Sequence, residues 1–190
     1  MAEEKLVSGV HIVPLRDFIS QNYDDASQQL IRERLSEDTR DMLDRVNRSE
    51  WHPVRMVSEI NRGIYLARGD HEAGYKDVVL AGAAIAQLAT NTFLRLLIKL
   101  MTPEIMARKW PTVWKKFHNF GTMKTDLDAQ SKNRLVMQLS DVDEYDYIGP
   151  SAVGFLTYSL NAMGMPDARV IQKGDQTVAC APAFEFEITW

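Results

Sequence analysis

Residues 78 to 101, VVLAGAAIAQLATNTFLRLLIKLM, constrain the fold more than any other stretch of the chain. The 17 residues from Val78 to Leu94 carry no charge, just short of the roughly 18–20 that a membrane-spanning helix needs. Gln87, Asn91, Arg95 and Lys99 recur every four residues, which draws one polar stripe down an otherwise apolar helix. Hydrocarbon would leave those groups without partners, and no aromatic belt brackets the segment. A soluble helix buried on most sides is therefore expected, with no membrane span. The first half, AGAAIAQLA, has small side chains that let another backbone come close, whereas FLRLLIKLM is bulky. Such a helix can serve as plain core, as a cavity wall or as a dimer face.

The flanking patterns supply what this helix packs against. Val10 to Val13 read as a short extended segment before Pro14, and Leu15, Phe18 and Ile19 then take helical spacing. Asp24 and Asp25 can cap a helix carrying Leu30, Ile31 and Leu35, and Ser36 opens another with Met42, Leu43 and Val46 inward. Pro53 suits the first turn of a helix striped by Val57, Ile60 and Ile64, which Gly69 ends. Thr102-Pro103 starts a helix through IMARKWPTVWKKFHN, where Pro111 threatens a kink. Beyond Gly121 the period becomes two: Met123, Thr125 and Leu127, then Leu135, Met137 and Leu139, joined by the polar loop DAQSKN. A helix from Gly149 to Met163 follows, then the strands ARVIQ and FEFEITW, with Phe184, Phe186, Ile188 and Trp190 alternating with polar residues. The expected fold is α+β, an N-terminal helical bundle on a four-stranded antiparallel sheet made of two hairpins separated by a helix. One domain over 1–190 is expected, with 1–118 mainly helical and 119–190 hairpin-helix-hairpin.

Charge and cysteine usage narrow the function. Acidic residues outnumber basic ones 26 to 22, which disfavours phosphate backbones, so no nucleic-acid partner is expected. Cys180 is the single cysteine, so no intrachain disulfide or thiolate metal cluster can form, and with no signal peptide at MAEEKLVSGVHIVP a cytoplasmic location is expected. There is no Gly-x-Gly and no phosphate-binding loop. GPSAVG places its second glycine three residues after Ser151, one too far for a nucleophile elbow, so Ser151 reads as a helix-start residue. His11, His52, His71 and His118 are scattered, with no pair at metal-protease spacing. Asp70-His71-Glu72 fits a helix cap, and DVDEYD at 141–146 lacks the central glycine and closing glutamate of a calcium loop and reads as a solvated loop. The run from Arg108 to His118 interleaves cations with Trp110, Trp114 and Phe117, but the spacing is that of one apolar helix face with lysines opposite. No acid–base pair or activated nucleophile emerges, so no enzyme activity is expected.

The Glu50-Trp51-His52-Pro53 helix start, the aromatic basic helix leading into Asn119-Phe120-Gly121 and the terminal Phe-Glu-Ile-Thr-Trp resemble an uncharacterised paralogous family found largely in myxobacteria, over nearly the whole chain. The element order is similar to that of the wider superfamily of haem nitric-oxide-binding (H-NOX) sensors, 4-vinyl-reductase-type effector domains and TRAPP transport subunits. That resemblance implies a ligand pocket between helices and sheet. Haem is not implied with it. With Ser140 as the serine of the H-NOX Tyr-x-Ser-x-Arg motif, Gln138 stands in place of tyrosine and Val142 in place of arginine. The iron-ligating histidine falls near Lys109 and Trp110, where there is none, and His118 is a poor substitute. Nor can one cysteine reproduce the zinc site of aromatic-sensing relatives.

Two functions remain. The first is a non-catalytic, cofactor-free sensory module that binds a small aromatic or acyl compound between the 78–101 helix and the sheet, with Ala83, Ala86, Phe93, Leu97 and Trp114 as ligand-binding walls. The second is a protein-interaction scaffold with a filled core that forms a homodimer, as TRAPP-like relatives do, or docks a signalling partner. They differ in whether the protein itself fills the space beside the small-residue half of the long helix.

Overall fold

In a computed structural model the described residues are 3–89, 101–127, 133–176 and 178–190. The N-terminal part comprises β1 (Leu6–Ser8), α1 (Gly9–Asn22), α2 (Asp25–Glu33), α3 (Glu37–Arg45), β2 (Trp51–Pro53), α4 (Val54–Leu66) and α5 (His71–Ala89). After it come α6 (Pro103–Phe117), the strands β3 (Thr122–Leu127) and β4 (Arg134–Ser140), α7 (Ile148–Ala162), and the strands β5 (Arg169–Gln172) and β6 (Ala183–Thr189). The fold is α+β, with the four-stranded antiparallel sheet in the order β3-β4-β6-β5 and a separate two-stranded pair, β1-β2. No helix among the described residues is long and apolar enough to cross a membrane.

Helix starts follow side-chain capping. The Asp24 carboxylate accepts from the Ser27 N–H at 2.9 Å, the Ser36 hydroxyl from Thr39 at 3.4 Å, and Thr102 from Ile105 at 3.4 Å, with Pro103 in the first turn. Asp70 does the same for Ala73 at 2.8 Å, which makes Asp70-His71-Glu72 a cap. Capping also corrects one expectation. Val10 to Val13 are helical, because Ser8 accepts from the Val10 N–H and starts α1 at Gly9, with Pro14 carried inside the helix. The extended segment lies earlier, at Leu6–Ser8, where it pairs with Trp51–Pro53. Pro111 does not divide α6, which runs unbroken from Pro103 to Phe117.

The sheet's inner face follows the period-two pattern. Leu139 lies opposite Phe184, Met137 opposite Phe186 and Leu135 opposite Ile188, all six buried. On the outer face Glu187 meets Lys173 at 2.6 Å and Arg134 at 3.4 Å. One continuous hydrophobic cluster runs from Val7 through the helices to Ile188.

The small residues of α5 are consumed by α7. A Cβ at Gly82 would overlap the Ser151 carbonyl oxygen, and a Cβ at Gly154 would overlap that of Val79, so the two helices cross backbone against backbone. Side-chain-free glycine is what permits that approach. The Gly82 side of AGAAIAQLA is thus closed by α7, whereas Ile85 of the same stretch lines a small cavity next to α6. Ala86 is fully buried and is not among the residues lining the cavity next to α6, and Ala83 borders a surface groove between α1 and α5.

The 141–146 segment is more embedded than a solvated loop. Val142, Tyr145 and Asp146 are buried, the Ser58 hydroxyl donates to the Glu144 carbonyl at 2.8 Å, and Asn61 donates to the Asp146 carbonyl at 3.1 Å. Arg62 pairs with the Asp146 carboxylate. These bonds fasten the β4–α7 connection to α4, and Lys5 adds a salt bridge to Asp143 at 2.7 Å.

Candidate functional site

A small apolar cavity lies between α6, α7 and the sheet. About 50 Å³ is enclosed by residues that include Trp110 and Trp114 of α6, Met137 and Phe186 of the sheet, and Ala152 and Phe155 of α7, closed above by Ile85 of α5 and His11 of α1. Among the described residues no acidic or basic side chain other than histidine lines it. Val113, Phe117, Ala152 and Phe155 are only half-buried, which makes the gap between α6 and α7 the thinnest part of the wall.

Local structure fixes the α6 side. His118 caps the end of the helix, its backbone N–H donating to the Trp114 carbonyl at 3.0 Å while its ring Nδ1–H donates to the same oxygen at 3.2 Å. The Trp114 and His118 rings stack with centroids 3.7 Å apart. The Trp114 indole N–H donates to the Phe120 carbonyl at 2.7 Å, and Gly121, at φ +73°, turns the chain into β3. Asn119 holds this corner to the N-terminus: its Oδ1 accepts from Leu6 at 2.7 Å and its Nδ2 donates to the Glu4 carbonyl at 2.9 Å. Val7 bridges to His118 in β fashion, so β1 lies over the site and delivers α1 with His11 on its first turns.

His11 and His118 meet in this wall with ring centroids 4.7 Å apart. They are 7% and 2% exposed, and the Nε2 of each is buried with no hydrogen-bond partner among the described residues. Buried polar atoms are nearly always paired, so two orphans in one place are unusual. Burial pushes the His11 imidazole down to about 4. Burial, together with the neighbouring His11, holds His118 well below the ordinary imidazole range. Both rings are neutral at pH 7, and with Nδ1–H committed to Trp114, His118 presents a bare Nε2 lone pair.

The depressed values set an acid limit on stability. Above pH 6.5 neither state binds a proton at these rings; below it the unfolded chain protonates first, so stability falls as pH drops from 6.5 towards 4. His11 alone is expected to remove about 3 kcal/mol across that window. Urea unfolding at a series of pH values should show this loss in the wild type and a shallower one in His11→Phe.

Of the residues read from the sequence as ligand walls, Trp114 lines the cavity, Ala83 and Ala86 do not, and Phe93 and Leu97 lie outside the described residues. Sequence reasoning did not place Trp110, Ala152, Phe155 or the two histidines on a ligand wall; the signals were Val10, Ile12 and Val13, the apolar neighbours of His11, and the place of His118 next to Phe117 at the end of the aromatic helix face. Positions that bear on haem are equally plain. Gln138 is exposed on the far face of the sheet, donating to Glu185 at 3.1 Å, while Val142 is packed in the core. Trp110, which cannot ligate iron, occupies the wall where the resemblance places the iron ligand. Among the described residues no arginine or lysine borders the cavity to meet a propionate. Among the described residues no group of three or more His, Cys, Asp or Glu side chains could hold a metal ion.

No family model matches the chain, and no curated protein matches it in sequence. Solved structures do. The chain is similar to the Fe(II) unliganded H-NOX protein from K. algicida, with a TM-score of 0.69 and 11% identity over 96% of this chain and 95% of that one. It is also similar to an H-NOX protein from S. oneidensis in the Fe(II)NO ligation state, with a TM-score of 0.66 and 12% identity over 95% of this chain and 97% of that one. The polypeptide thus has the H-NOX fold.

Proposed function

We propose that this protein is a non-catalytic, cytoplasmic sensory module that binds a small apolar compound, not haem, in the cavity between α6, α7 and the sheet. One observation carries the reading: a space walled by uncharged side chains in which two buried histidines leave polar atoms unpartnered. A protein that served only as a scaffold would gain by filling that space, since voids and unpaired polar atoms both cost stability. The haem-containing neighbours support a ligand site in this fold, while the indole of Trp110 and the lack of a cationic side chain among the described wall residues argue against haem here.

Size limits the ligand. A cavity of about 150 Å³ lined by aliphatic and aromatic side chains takes up benzene, and the present one is about 50 Å³. Molecules of a few heavy atoms fit it as it stands. An aromatic or acyl compound needs Phe117 or Phe155 to swing outward.

Thermal denaturation in the presence of short alcohols, thiols, alkenes, benzene and haem tests this. At least one of the small compounds is expected to raise Tm saturably, as binding to the native state must, and to lose that effect in Ala152→Phe, where the added ring fills the cavity. A stoichiometric haem complex with a Soret band would overturn the reading.

A further inference from the structure

The orphaned histidines define what the ligand's polar end must be. Resting on the pocket reading above, we infer that the cavity selects a molecule bearing a hydroxyl, or an equivalent N–H donor, which donates to Nε2 of His118. The argument is one of hydrogen-bond accounting. The Nδ1–H of His118 is committed to the Trp114 carbonyl 3.2 Å away, which fixes the tautomer and leaves Nε2 an acceptor only. No donor among the described residues reaches it, although the Tyr145 ring lies 5.9 Å away. Protonation does not relieve the vacancy at neutral pH, because burial and His11 keep the ring uncharged.

His11 supplies the complement. Its Nε2 is also buried and unpartnered, and its ring meets that of His118 edge to face at 4.7 Å. In its Nε2–H tautomer His11 donates to the oxygen whose proton His118 accepts, so a hydroxyl satisfies both nitrogens at once. Apart from Ser151 and Tyr145 the remaining described wall is apolar, with Trp110, Ile148, Phe155 and Leu156 to receive the hydrocarbon part. The selected class is therefore a small neutral alcohol, one polar end on a short apolar body. Carboxylates are excluded, since they bring charge into a space whose described wall holds no cation and cannot donate when ionised. An ether or halide can accept from His11 but brings no donor for the His118 Nε2, and sites built to pair a hydroxyl reject analogues that lack it.

Ethanol and fluoroethane are the probes, equal in heavy atoms and matched to a cavity of about 50 Å³. Each is titrated into the wild-type protein and followed by NMR of the Ala152 methyl and of the His118 ring nitrogens. Ethanol is expected to bind at least about tenfold more tightly than fluoroethane, to move the Nε2 nitrogen resonance upfield as it gains a donor, and to lose its advantage in His118→Phe. The nitrogen shift is read in the wild type, so the test survives a variant that fails to fold. Equal binding of the two probes with Nε2 unmoved would overturn the hydroxyl inference and leave the apolar pocket intact. Binding of neither would overturn the pocket reading as well.

Discussion

Gly154→Ala is expected to lose about 4 kcal/mol or more of stability, or not to fold at all, because ordinary overpacking costs about 1–3 kcal/mol and this site has less freedom to relax. The new methyl would meet the Val79 carbonyl oxygen and the Ala83 backbone nitrogen, both backbone atoms of α5 that no rotamer change can clear. Relief requires α7 to move away from α5, which would reopen the space now closed by Gly82 against Ser151. Gly164→Ala is the control. It sits at φ +89° with nothing near its would-be Cβ, so it should cost only the left-handed backbone penalty of about 1 kcal/mol. Urea unfolding of both variants checks the contrast, and similar losses would mean the helix crossing is softer than its geometry.

Trp114→Ala should be the most damaging change at the site itself, at about 3–5 kcal/mol. Three effects add. The indole is buried in the core, it stacks on His118 at 3.7 Å, and its N–H is the donor for the Phe120 carbonyl at 2.7 Å. Trp114→Phe keeps a ring over His118 and loses the donor, so about 1–2 kcal/mol is expected from the unpaired carbonyl and the smaller volume. Chemical denaturation of the pair separates stacking and burial from the hydrogen bond. A Phe variant as unstable as the Ala variant would place the whole effect in the Trp114–Phe120 bond.

Local chemistry made much of the fold legible in the sequence. Asp24, Ser36 and Thr102-Pro103 cap helices because their side chains satisfy N–H groups that the helix leaves bare, and that preference needs no tertiary context. The alternation through Phe184, Phe186 and Ile188 reports a one-sided sheet in the same way. The errors lie where distant residues decide. Val10 to Val13 looked extended from their apolar run before Pro14, yet Ser8 and the β1–β2 pairing start the helix first.

The site was less legible for the same reason. Small residues from Gly82 to Ala86 are compatible with a cavity and with a close helix crossing, and only the position of Gly154 in space selects the crossing. The cavity is walled mainly by α6, α7 and the sheet, with Ile85 of α5 also lining it. Trp114 stayed on its wall, because it belongs to the α6 face that meets the sheet. His11 and His118 come from opposite ends of the helical part, joined only when β1 bridges to the end of α6. No spacing rule announces such a pair.

Xenon tests the account most directly, because it occupies apolar cavities without needing hydrogen bonds and finds nothing in a solid core. Two-dimensional NMR of the protein under rising xenon pressure should show saturable shifts at the Ala152 and Ile148 methyls and at the Trp110 and Trp114 indoles, with no effect in a folded Ala152→Phe variant. Spectra that do not respond at those residues would mean that α6, α7 and the sheet close on a filled core, contradicting the ligand-binding reading.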